Sequence, residues 1–269
     1  MNTTVLPATD HTLTAKPDKW LMFRKPRPQA AVRLLCFHHA GGAALAYRNW
    51  VDRMPAFIDV CPVQLPGRGN RFGEAPFRAV GALVDTLLES IAPLLDRPVA
   101  LFGHSMGAAL AFATATELEQ QGRQVVHLFA SGRRAPLSAF TTALHRLGDA
   151  ALEIYLRDLR GTPQIVFEDA ELKATVFELL RADLALNDSY VAGEPLARVP
   201  ISALGGNSDH HVPLPALDAW QGLTKAGFTR YLLKAGTFLC AIAKLPSSSM
   251  WQPRWQPPWS ANGDATALG

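Results

Sequence analysis

The stretch PVALFGHSMGAALAF, residues 98–112, decides the fold. Its first six residues form an apolar run too short for a helix, and a glycine closes it, so PVALFG (98–103) is a strand. From Met106 the chain turns into a run of small and apolar residues, MGAALAFATATELEQQG (106–122), which predicts a helix with Gly122 as its stop. The same strand–helix alternation extends outward on both sides. Upstream, AVRLLCF (31–37) and IDVCPVQL (58–65) are strands, the second ending at Pro66-Gly67. Between them and the decisive stretch, Val80, Leu83, Val84, Leu87, Leu88, Ile91 and Leu94 keep helical spacing. Downstream, VVHLFAS (125–131) is a fourth strand. Continuous apolar strands separated by helices predict an α/β fold, a mostly parallel sheet covered on both faces.

After Pro136 the pattern changes. Helical spacing dominates 137–195, which predicts a helical lid inserted into the core. Alternation then resumes with the strand VPISALGG (199–206), a helix over 215–224 and the strand FTRYLLK (228–234). The expected organisation is therefore a core of residues 31–136 and 196–235, with the lid between them. Residues 1–30, polar and ending in RKPRPQ, are expected to be a loose arm. Residues 236–269 form an atypical tail. A chain of 269 residues can bury one sizeable core of this kind.

Composition excludes several other classes of function. The formal net charge is +3, with no Lys/Arg run or basic-aromatic stripe of the kind nucleic acid requires. No stretch approaches the roughly 20 apolar residues of a membrane span. MNTTVLPATDHTLTAKPDKW has no apolar segment of the secretory kind. Cys36, Cys61 and Cys240 are odd in number and fit neither a disulfide framework nor a zinc site, so buried thiols and a cytoplasmic setting are expected.

Gly103-His104-Ser105-Met106-Gly107 matches G-x-S-x-G, and it lies between a strand and a helix, where that motif has chemical meaning. A serine on so tight a turn is thrust out at the sheet edge, with the helix N-terminus beneath it to favour developing negative charge. A chance glycine-serine turn would lack the flanking strand and helix. Ser105 is thus the candidate nucleophile. The N–H of the next residue, Met106, should be one oxyanion donor, and the loop after an early strand should supply the other. That loop is Phe37-His38-His39-Ala40-Gly41-Gly42-Ala43, and Ala40 N–H is the candidate. Adjacent His38 and His39 point opposite ways in extended chain and lack partners at ligand spacing, so no metal or other cofactor is expected.

In this architecture the acid follows the serine and the histidine comes last. Asp209, in Gly205-Gly206-Asn207-Ser208-Asp209-His210-His211-Val212, stands just after a late strand and is the candidate acid. The histidine should follow FTRYLLK, at about the place where Ala235-Gly236-Thr237-Phe238 has threonine. All eight histidines lie at or before His211. Threonine has no basic lone pair of matched pKa, so the base position is vacant. His211 is the candidate substitute. His104, beside the nucleophile, should point away from the elbow tip and serve in packing or hydrogen bonding.

CFHHAGGAALAYRNW (36–50), VQLPGRGNR (63–71), LFGHSMGAALAF (101–112), LFASGRRAP (128–136), LRADLALNDSY (180–190) and ISALGGNSDHHV (201–212) together carry a specific likeness. The chain resembles the type II, stand-alone thioesterases that accompany polyketide synthases and non-ribosomal peptide synthetases. The resemblance implies an α/β-hydrolase fold with a helical lid. It also implies hydrolysis of acyl groups from the phosphopantetheine arm of acyl or peptidyl carrier proteins, with Ser105 and Asp209 as nucleophile and acid. A monomer is implied as well. The family has Gly-His-Phe where this chain has Gly236-Thr237-Phe238, and beyond it CAIAKLPSSSMWQPRWQPPWSANGDATALG departs altogether. A one-base deletion near codon 236 would account for this, since codons such as GGG CAC TTT losing one G read GGC ACT TT; the alternative is a genuinely divergent C-terminus in an inactive homologue. Impaired thioesterase activity is therefore expected, the alternatives being a non-catalytic carrier- or acyl-binding homologue or an esterase of small esters.

Overall fold

The computed structural model describes residues 19–138, 143–159, 161–207 and 209–233. The expectations for the tail, including Gly236, Thr237, Phe238 and the frameshift, lie outside them.

Six strands form one parallel sheet in the order β2-β1-β3-β4-β5-β6. They are β1 (Val32–Phe37), β2 (Ile58–Pro62), β3 (Val99–His104), β4 (Val125–Ser131), β5 (Ile201–Gly206) and β6 (Phe228–Leu233). The helices are α1 (Trp50–Arg53), α2 (Val80–Ile91), α3 (Met106–Gln120), α4 (Asp149–Leu159), α5 (Ile165–Glu168), α6 (Ala170–Asp188) and α7 (Leu214–Asp218). Strand periodicity explains why the inner strands are apolar throughout. On β1, Leu35 and Phe37 join the core that includes α2 and α3, whereas Leu34 and Cys36 join Tyr47, Trp50 and Phe102 on the other face. Gly122 stops α3 as expected: it has φ +70, and the Arg123 N–H reaches back to Leu118 O, 2.9 Å away.

The expected loose arm needs correction from residue 19 onward. Trp20 and Leu21 are buried, and Leu21 bridges Val63. The Arg27 guanidinium donates to the carbonyls of Val51, Met54, Pro55 and Ile58. Arg27 thus supplies donors to carbonyls of α1, of the turn after it and of the start of β2, so a Pro/Arg-rich segment is structural here.

Helices α4, α5 and α6 lie in the segment expected to be the lid. They have an apolar cluster of their own, containing Leu152, Leu156, Phe177, Leu180 and Leu184. One buried ion pair joins α6 to the core. The Arg68 guanidinium donates to both carboxylate oxygens of Asp183 at 2.6 and 2.8 Å, and both side chains are almost wholly buried. Asp183 also accepts the Gly41 N–H at 2.8 Å, and Arg68 donates to Gly42 O at 3.1 Å. Gln64 extends the link, accepting from Ala44 N and donating to Arg68 O.

Removing one partner of such a pair strands the other charge in a dry interior. Asp183→Ala should therefore destabilise the protein by about 3–5 kcal/mol in urea unfolding, whereas the double change Arg68→Met, Asp183→Leu should recover most of that loss.

Candidate active site

Ser105 sits between β3 and α3 with φ 53 and ψ −118, a backbone region that side chains rarely adopt. Its N–H donates to Ser131 O at 2.8 Å and its carbonyl accepts from Ala108 at 2.9 Å, which hold the turn. The flanking glycines are obligatory. A Cβ on Gly103 would lie 2.0 Å from Gly107 O, and one on Gly107 would lie 2.1 Å from Phe37 O. The second contact presses the start of α3 against the end of β1, so the elbow and the 38–43 loop share one end of the sheet.

Both residues expected to supply oxyanion donors line the cavity there. Met106 is the first residue of α3, so its N–H belongs to the donors that a helix start leaves free. Ala40 lines the same cavity, next to the Gly41 that Asp183 anchors. The cavity has a volume of about 610 Å³ and also takes in Ser105, Asp209 and His211. Leu156, Val166, Leu180 and Leu184 wall it from the helical segment.

Asp209 follows β5, and its Oδ1 accepts the backbone N–H of His211 at 2.9 Å and of Val212 at 3.2 Å. The His211 ring turns elsewhere: its Nε2 is 3.0 Å from Oδ2 of Asp158 on α4. Asp209 and the substitute candidate are thus joined here through backbone rather than ring.

The imidazoles of the elbow and of the loop after β1 resist taking a proton. Burial, aided by the charge of His39, takes His104 down to about 3. Its Nδ1 lies 3.0 Å from Ser131 Oγ, and its ring packs on Gly132, so hydrogen bonding and packing engage it although it lines the cavity. Burial also lowers His39, against an opposing pull from Asp183, and it lowers His38 much further. Rings this reluctant to take a proton are poor general bases near neutral pH.

Sequence reasoning did not single out Arg133, Asn187 or Asp158 as cavity residues. Arg133 donates to Asn187 Oδ1, and burial lowers its guanidinium to about 10. The matched segments LFASGRRAP and LRADLALNDSY contain both residues, but nothing in either segment alone says that the two meet.

These pKa shifts have a consequence for stability. Between about 6.5 and about 3 the unfolded chain binds a proton at His104 that the folded chain refuses, so stability must fall as pH drops through that window. His104→Gln should make the decline of the urea midpoint between about pH 7 and about pH 4 shallower, as unfolding curves would show.

A family model described as "Thioesterase domain" matches residues 32–244. The chain is 40% identical over 229 residues to linear gramicidin dehydrogenase LgrE of Brevibacillus parabrevis, covering 82% of this chain and 87% of that protein. It is 34% identical over 234 residues to thioesterase PikA5 of Streptomyces venezuelae, covering 86% and 83%. Among solved structures, the type II thioesterase BorB from the borrelidin biosynthetic cluster superposes with a TM-score of 0.75 at 35% identity, covering 85% of this chain and 96% of that one. The name of LgrE refers to a dehydrogenase, but this sequence contains no G-x-G-x-x-G dinucleotide fingerprint. The chain belongs to the thioesterase-domain family, serine hydrolases of the α/β-hydrolase fold whose relatives serve polyketide and non-ribosomal peptide biosynthesis.

Proposed function

We propose that the chain hydrolyses acyl groups from the phosphopantetheine arm of acyl or peptidyl carrier proteins, clearing blocked chains from a biosynthetic assembly line, and that its activity as written is impaired. The observation that carries this reading is the strained Ser105 opening into a largely apolar cavity walled by helices α4 to α6. Such a cavity suits an acyl chain, and its position leaves the serine at the floor to meet a thioester carbonyl.

The reaction runs in two steps. Ser105 Oγ attacks the thioester carbon, and the oxyanion rests on the Ala40 and Met106 N–H groups. The carbon–sulfur bond breaks, and the thiol leaves with a proton. Water then attacks the acyl-serine and releases the free acid. Asp209 would orient and balance a histidine, which the sequence does not supply after β6. His211 remains the substitute to consider. The reaction needs no metal or cofactor of the enzyme's own, since the phosphopantetheine belongs to the partner. A monomer acting in the cytoplasm fits this role, and among the described residues no helix is long and apolar enough to cross a membrane.

Turnover of short acyl-carrier-protein thioesters by this chain and by its Ser105→Ala variant tests the reading. Slow hydrolysis that disappears in the variant is the expected result. Equal rates in the two proteins would leave a binding homologue in its place, and faster cleavage of small oxyesters than of thioesters would leave an esterase. Thr237→His, which restores only the missing side chain, should raise turnover by roughly 10²–10⁴-fold, the range a positioned general base supplies. If the rate stays at the starting level, the impairment cannot be assigned to that one side chain.

A further inference from the structure

Asp158, His210 and His211 meet where all three line the cavity, and of the three only His211 has been considered above, as a substitute base. We propose that they form a binding site for a borderline divalent cation of the zinc class, and that the bound ion ties α4 to the loop carrying Asp209.

Four observations support this assignment. His211 Nε2 and His210 Nε2 lie 3.0 and 3.6 Å from the same oxygen, Oδ2 of Asp158. One ligand atom from each of the three residues falls within 4.8 Å of the other two. Ligand atoms bonded at about 2.0–2.1 Å to one tetrahedral centre stand about 3.3–3.4 Å apart, so these two separations bracket what one shared ion requires. Finally, His211 Nε2 is buried yet makes no hydrogen bond, although the carboxylate is so close. The carboxylate oxygen lies off the direction in which the ring nitrogen would donate, a mismatch for a hydrogen bond but not for convergence on an ion.

The local chain explains how neighbouring histidines come to act together. Side chains of adjacent residues diverge in an extended segment. Here Asp209 Oδ1 accepts the N–H groups of both His211 and Val212 and folds the loop. The two rings then lie side by side, with centroids 4.2 Å apart and planes 36° apart. Tyr155, one turn before Asp158 on α4, meets the His211 ring edge-on at 6.3 Å and limits its rotation.

The donor set selects the class of ion. Two imidazoles and one carboxylate suit zinc, cobalt, nickel or copper, whereas calcium and magnesium prefer oxygen ligands. Three protein ligands leave a fourth position for water. Asp158 and His210 are exposed and His211 is partly so, which leaves the cluster open to an ion from solvent. One ligand stands on α4 and two stand beside Asp209. An ion joining them restrains the movement of that helix away from the cavity, and it should slow acyl entry rather than assist the chemistry.

The test uses the full chain, stripped with chelator and titrated calorimetrically with zinc chloride, beside the variant Asp158→Asn, His210→Ala. The expected result is one zinc ion per chain, with affinity at least roughly tenfold weaker in the variant. Cobalt should give visible d–d absorption without a thiolate charge-transfer band, since the site contains no cysteine. Zinc should also slow tryptic cleavage at Arg157 in the wild-type chain but not in the variant. Circular dichroism of the metal-free variant matching that of the wild type excludes misfolding as the cause. Absence of binding, equal binding by the variant or a thiolate band would overturn the site. Unchanged proteolysis on zinc binding would overturn the tie between α4 and the loop.

Discussion

The buried Arg68–Asp183 pair is the interaction on which the site depends. It joins three pieces of chain that are distant in sequence: the turn after β2, the loop after β1 and helix α6. Two opposite charges out of water gain stability only if their remaining hydrogen-bonding capacity is filled. Here the carboxylate is filled by Arg68 and the Gly41 N–H, and the guanidinium by Asp183, Gly42 O and Pro66 O. The pair therefore contributes position more than energy. It fixes the backbone next to Ala40, the residue proposed to supply a donor, and such a donor is useful only at about 2.7–3.1 Å from the oxyanion. A purely apolar contact could hold α6 as firmly but could not orient that loop.

The elbow obeys a complementary constraint. Ser105 occupies a costly backbone conformation, and the surrounding structure must hold it there. Two mainchain hydrogen bonds and two close backbone approaches do so. The result is a serine held in one backbone pose beside the cavity. The neutral, buried rings of His39 and His104 cannot take its proton readily, and the His211 ring is drawn toward Asp158. Pre-organisation and activation are thus separate properties here. The first is written into β1, β3 and α3, whereas the second is proposed to depend on a histidine that the sequence lacks after β6.

That separation also explains what could be read from the sequence. The span of β4 (125–131) and the Gly122 stop were legible because they depend on local pattern and local backbone chemistry. The elbow was legible because its glycines are forced by close approach. The packing of Trp20 and the capping by Arg27 were not, since a segment rich in Pro, Lys and Arg looks solvated until its carbonyl partners are seen. Nor was the link between Arg68 and Asp183, which lie 115 residues apart. Neither residue has a periodicity that would announce the other. The convergence of Asp158 with His210 and His211 is hidden for the same reason.

The helical segment over the cavity is attached unequally. Helix α6 is held by the buried pair. Helix α4 reaches α6 through the apolar cluster and through partly exposed links, Lys173 to Glu153 and Arg181 to Asp149. Ion pairs of that exposure contribute on the order of 0–1 kcal/mol each, whereas losing one partner of a buried pair costs several times more. The apolar cluster is separate from the main core, so it can part without disturbing the sheet. The weaker attachment is therefore that of α4, whereas α6 and the 38–43 loop are tied by the buried pair. Asp158 lies near the C-terminal end of α4 and lines the cavity, so a bond made there acts on the less firmly held helix.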